Sequence, residues 1–206
     1  MNYPDFFDAV ETIQMQDPLS NILGTFVNGN VTFSYLDVVK AAGHSCPTVA
    51  GAYLMTLKAL QALYPNRLHV RGDIKVAFAE AQEEGAAGVI GSVVTQITGA
   101  AGSGGFKGLN GRFARQSLME FNADIPSSAR FSRTDTGESV DLFYNPNAVP
   151  PKPEMQSLMP KVMAGQANEE ELKRFGELWQ ERVKRILVDN ADNPEMIRVE
   201  RRSVKT

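Results

Sequence analysis

The chemistry of this 206-residue chain is concentrated in Gly43-His44-Ser45-Cys46-Pro47, which holds its only cysteine and one of its two histidines. Proline suits the first turn of a helix, where its missing N–H would have no partner. Pro47 therefore reads as the first helical residue and Cys46 as the cap. A helix start offers partial positive charge and open amides, and both favour a thiolate, the form that attacks electrophiles and binds metals. His44 can act beside it as a ligand, a base or a counter-charge. Imidazole and thiolate together suit zinc first, with nickel or iron as alternatives. Two ligands do not make a site, so a metal also needs His69, a carboxylate such as Asp73 or Glu80, or a group from a second chain.

Two other readings stay open. In a metal-free thiol enzyme Cys46 attacks and His44 activates it, although catalytic cysteine–histidine pairs usually come from separate segments. In a binding or accessory subunit Cys46 is a buried cap, and His69 is a surface or hydrogen-bonded histidine. A glycine-dense stretch, residues 99–108, brings Lys107 and backbone amides to a loop that could approach an anionic ligand. It contains no Gly-Lys-Ser/Thr and opens no helix, so a phosphate cradle competes with a plain surface loop.

The elements around the motif follow from periodicity. Residues 36–42 form a short helix that delivers the chain to Gly43, and residues 47–63 a buried helix with small residues Ala50, Gly51 and Ala52 near its start. Residues 3–15 have Phe6, Phe7, Val10 and Ile13 at helical spacing and are predicted as a helix broken by Asp17-Pro18. Residues 19–26 and 31–35 read as a hairpin turning at Asn28-Gly29-Asn30. A strand lies in 68–80, a second buried helix in 84–98, and further strands in 113–121, 129–133 and 139–144, the last two joined at Thr134-Asp135-Thr136-Gly137. Three prolines in 147–153 make a linker. Helices follow over 155–164, interrupted by Pro160, and over 168–190, with a basic, solvated tail from residue 197. The fold class expected is α+β, a mixed or antiparallel sheet packed with helices, with a core domain at 1–148 and a helical appendage at 149–206.

Composition narrows the function. With 43% apolar and 22% charged residues the chain can form a packed core. A formal net charge of −3 gives no global basic field, which argues against a nucleic-acid partner. One cysteine makes neither an internal disulfide nor a cysteine-rich zinc ribbon. No run of about 18 apolar residues and no basic-then-apolar leader is read, so no membrane partner is expected and the cytoplasm is the expected compartment. The stripe Leu172, Phe175, Leu178, Trp179, Val183, Ile186 and Leu187 must pack on the core or on another chain, and a homodimer is expected from it.

The motif resembles that of the FmdE family, named for a protein associated with formylmethanofuran dehydrogenase, whose mark is a Gly-His-x-Cys-Pro segment opening a helix. Thr98-Gly99-Ala100, Phe106-Lys107-Gly108 and Thr134-Asp135-Thr136-Gly137 follow in the order that family shows, and the likeness spans residues 19–145. It implies an α+β core, often dimeric, with a metal or thiol site near the motif cysteine, and a small-molecule ligand or partner subunit. Ala100 stands where the family pattern has a second cysteine, and the cysteine-rich zinc finger of some members is missing. A site needing two thiolates from this chain is thereby ruled out.

Overall fold

The computed structural model describes residues 2–202. Its architecture is α+β, with two mixed sheets and helices packed against them. The organising element is α3 (Pro47–Leu63), apolar on nearly every side and buried along most of its 17 residues. A helix that is apolar all round must be enclosed. Here α4 (Ala87–Thr98), α2 (Tyr35–Ala42) and the five-stranded sheet enclose it.

That sheet runs β5 (Met119–Glu120), β4 (Ile74–Phe78), β6 (Ala129–Arg133), β7 (Ser139–Tyr144), β8 (Ile197–Arg202). All neighbours are antiparallel except β4 and β5. Period-two alternation puts Ala129, Phe131 and Arg133 of β6 on the buried side, as the sequence predicts. The β6–β7 hairpin closes with Ser132 opposite Ser139, and Gly137 in its turn has φ +75°.

Several expectations are corrected. Residues 3–15 are not one helix: a 3-10 turn, Asp5–Ala9, is followed by β1 (Ile13–Gln16). Ile13 and Met15 face inward while Gln14 and Gln16 face out, a period of two that outweighs the helical spacing before it. The segment after it is α1 (Pro18–Ile22) rather than a strand, because Asp17 accepts hydrogen bonds from the Leu19 and Ser20 amides and Pro18 takes the first helical position. The Asn28-Gly29 turn forms, but β2 (Asn30–Phe33) pairs with β1, Ile13 opposite Phe33. Strand β3 (His69–Val70) joins the other side of β1 in parallel, completing the three-stranded sheet. Only Met119–Glu120 of the 113–121 stretch is strand, since Phe113 and Ser117 adopt positive φ and break the ladder.

At the C-terminal end, α5 (Pro153–Met163) continues through the exposed Pro160 instead of stopping there. Helix α6 (Glu169–Lys184) starts at a capping box of Asn168 and Glu171 and runs on as a π-turn, Arg185–Asp189. The later part of its apolar stripe packs on its own chain, with Leu178, Val183, Ile186 and Leu187 buried and the last three within the main core, while Leu172 is exposed. The stretch from Ile197 is not a solvated tail up to Arg202, because β8 pairs residue by residue with β7. Its basic side chains are used there: Arg202 bonds Asp141 at 2.8 Å, Arg198 lies over the Phe143 ring, and Arg201 donates to the Ala62 carbonyl. Residues 203–206 lie outside the described residues. No helix among the described residues is long and apolar enough to cross a membrane.

Candidate functional site at the head of the central helix

The motif occupies the loop between α2 and α3. Gly43 ends α2 at φ +78°, donating to the Val39 carbonyl, and this left-handed turn reverses the chain. His44 is exposed, with Nδ1 3.1 Å from the Ala42 carbonyl oxygen. A carbonyl only accepts, so Nδ1 donates here, and in the neutral ring this leaves the lone pair on Nε2. The ring lines a groove of about 410 Å³ between α2 and α4, beside Val89, Ser92 and Gln96.

Ser45 is held from three sides. Tyr35 Oη donates to its Oγ at 3.0 Å, Oγ donates to Gln180 Oε1 at 3.0 Å, and the Ser45 carbonyl accepts from Trp179 Nε1 and Gln180 Nε2. Helix α6 thus fastens the motif through the residue type that the motif leaves free. Cys46 is 8% exposed, and its sulfur accepts the Val49 amide at 3.4 Å, making it the N-cap of α3. This is the role read from Pro47.

Two phenols flank the cysteine. Burial raises Tyr35 well above the ordinary tyrosine value; the Ser45 bond opposes this and charge on Cys46 adds to it. Burial likewise pushes Tyr144 up to about 12, with the Arg182 charge opposing and Cys46 adding. Both remain protonated donors near neutral pH. Tyr144 reaches beneath α3 because Gly51 gives it room: a Cβ there would stand 2.2 Å from Tyr144 Oη.

Beside this helix start lies a cavity of about 380 Å³, bounded by Pro47 and Thr48, by Ala86 and Ala87 at the start of α4, and by Tyr144 and Arg182. Phe78 and the exposed Glu80 close it from the end of β4. The Arg182 guanidinium is half-buried, donating from Nε to the Val149 carbonyl at 2.8 Å and from Nη2 to that of Pro146 at 3.3 Å. Burial lowers its pKa, partly offset by Tyr144. No carboxylate pairs with it among the described residues.

The remaining predicted residues are placed elsewhere. His69 lies on β3 with its ring 5.6 Å from that of Tyr64, the residue that ends α3. The 17 residues of α3 span roughly 25 Å, so His69 and Cys46 sit at opposite ends of that helix. Burial lowers the His69 pKa, and its Nδ1 is buried without a partner. Lys107 is exposed on the loop leaving the C-terminal end of α4, whereas Pro47 and Thr48 meet the N-terminal end. That loop turns amides onto its own carbonyls: Gly105 and Ser117 donate to Gly102, Arg115 and Gln116 to Phe106. Asp73 sits in the turn before β4, its carboxyl raised by burial and by Asp135 against the pull of Arg115. Glu80 alone of the suggested extra ligands reaches the α3 start. Among the described residues no group of three or more His, Cys, Asp and Glu side chains converges as a metal site. Sequence reasoning did not find Tyr144 and Arg182; only Gly51, a glycine inside an apolar helix, signalled a close approach.

Neither the family models nor the curated proteins contain a match to this sequence. Among solved structures, the chain is similar to a tungsten formylmethanofuran dehydrogenase FmdE-like protein from Syntrophus aciditrophicus, with 14% identity over 84% of this chain and 74% of that one and a TM-score of 0.43.

Proposed function

We propose that this chain is an FmdE-like protein whose Gly43–Pro47 loop binds a transition metal, zinc by donor type, through His44 Nε2 and Cys46 Sγ. The observation that carries this reading is the 3.1 Å contact from His44 Nδ1 to the Ala42 carbonyl. Metal-binding histidines commonly fix their other nitrogen on a backbone carbonyl, which sets the tautomer and directs the free lone pair outward. The donor set fits zinc in kind but not in number. The remaining positions fall to a bound small molecule or to a second copy, which makes a homodimer the matching assembly. When bound, zinc supplies Lewis acidity and a polarised water. The protein's own part is to hold the sulfur at the helix start, fix the imidazole tautomer and anchor Ser45 through α6.

Zinc reconstitution followed by elemental analysis tests this. Wild type is expected to retain metal, with Cys46→Ser and His44→Ala each retaining less while keeping the fold. Retention should fall as pH falls, because protons compete for both ligands. If all three proteins are equally metal-free and Cys46 alkylates rapidly near neutral pH, the thiol-enzyme reading takes its place, supported by the Val49 amide on the sulfur. If Cys46 neither alkylates nor binds metal, the accessory-subunit reading stands.

A further inference from the structure

We infer that the cavity between the start of α3 and α6 is a binding site for a small monocarboxylate, its carboxylate on Arg182 and its apolar body against Met55, Phe78 and Ile90. Four features converge. The cavity, about 380 Å³, lies at the small end of the range of ligand pockets, roughly 300–1,000 Å³, and joins apolar walls to a few fixed polar groups. Arg182 is pinned by the carbonyls of Val149 and Pro146, which orient the guanidinium without neutralising it. A planar guanidinium with an edge still open pairs best with a carboxylate, and a half-buried charge lacking a partner gains most from one. The Val49 and Ala50 amides are taken by the Cys46 sulfur and carbonyl, which leaves the Thr48 amide to add a donor, with the partial positive charge of the α3 start, at the same wall.

Charge also sets the class of anion. There is one cation in the lining and one acid, Glu80, at the mouth, so a monoanion is matched and a phosphate dianion is not. Glu80 gives the far end of the ligand an acceptor, which favours a hydroxyl or amine there. The cavity is lined by Pro47 and Thr48 rather than by His44, so this inference does not rest on the metal reading.

Calorimetry on the full chain, with hexanoate and benzoate compared against hexanamide, benzamide and inorganic phosphate, tests the proposal. The acids are expected to bind about tenfold or more tightly than their amides, the increment of a charge-assisted pair. Arg182→Met should abolish that preference, and Arg182→Lys should restore part of it. Because Arg182 also holds the linker backbone, Ile90→Phe, which fills the cavity from α4, provides an independent check and should weaken acid and amide alike. Metal-stripped wild type should behave as untreated protein, which separates failure here from failure of the metal site. Equal binding of acid and amide, preference for phosphate, discrimination surviving in Arg182→Met, or no binding of either acid at millimolar concentration would each overturn it.

Discussion

Two of the regions where arginines are withdrawn from water differ in whether a carboxylate answers their charge. At the junction of the two sheets, Asp17 accepts Arg71 Nη1 at 2.9 Å and Arg115 Nη2 at 2.8 Å, while the Leu19 and Ser20 amides complete its shell. Arg71 also donates to the Ile97 and Gln96 carbonyls, capping the end of α4, and Asp73 lends further negative charge to Arg115. At the head of α3, Arg182 has two neutral carbonyls and an open cavity in front of it. Buried charge is tolerated when it is paired and hydrogen-bonded, and left half-paired where something else completes it. The closed cluster is scaffold, and the open arginine is the seat of a ligand.

The comparison is most exposed at Asp17. Removing it by Asp17→Ala strands two guanidiniums and uncaps α1, and the expected loss is about 3–5 kcal/mol, read as a lower urea midpoint at unchanged slope. A loss no larger than that of Arg182→Met would end the distinction. The same group has a pH signature. Burial would raise the Asp17 carboxyl, but the Arg71 hydrogen bond, the Arg115 charge and the Ser20 amide outweigh it and hold its pKa below the usual carboxylate value. A folded-state pKa below the unfolded one gives stability that is present above about pH 4 and disappears as pH falls through the folded value. Asp17→Asn, already less stable at neutral pH, should therefore lose less than wild type on acidification. The flattening is partial, since Asp141 is likewise lowered: burial opposes it, and Arg130, Arg202 and Ser127 prevail.

A smaller effect tests whether the cavity wall is built as tightly as Gly51 implies. Gly51→Ala places a methyl 2.2 Å from Tyr144 Oη and 2.4 Å from Cζ, so the ring must give way. Overpacking of this kind costs roughly 1–3 kcal/mol, to be read from thermal or urea unfolding. In a Tyr144→Leu background most of that cost should vanish. If the two changes were additive, Tyr144 would not be the obstacle.

How much of this was legible in the sequence follows from the separation of the partners. The α3 helix, its Cys46 cap and the β6–β7 hairpin depend on neighbours a few residues apart, and Pro47, the apolar run and Gly137 signal them directly. At residues 3–15 two periodicities overlapped, and the helical one masked the strand that pairs with β2. The basic stretch after Ile197 reads as solvated until β7 supplies an edge to pair with, which no local pattern reveals. The site divides in the same way. Cys46 as cap was readable, but the clamp on Ser45 comes from Trp179 and Gln180, more than a hundred residues away in the chain. The cavity joins Pro47, Phe78, Ala87, Tyr144 and Arg182, and the junction joins Asp17, Arg71 and Arg115; no spacing rule links either set.

The smallest expected effect lies at Arg182 itself, and the distinction drawn at Asp17 stands or falls with it. Arg182→Met removes two hydrogen bonds to carbonyls, of which that of Pro146 belongs to an exposed residue that water can serve. It also removes a half-buried positive charge that no carboxylate among the described residues neutralises, and this change favours the fold. The two contributions oppose each other, so the net loss in the ligand-free protein should be about 1 kcal/mol or less by urea unfolding. A saturating monocarboxylate should then stabilise wild type and not the variant, because only a ligand that binds the native state shifts the unfolding midpoint. A loss as large as that of Asp17→Ala would place Arg182 with the scaffold, and the charge it presents to the cavity would need no ligand to explain it.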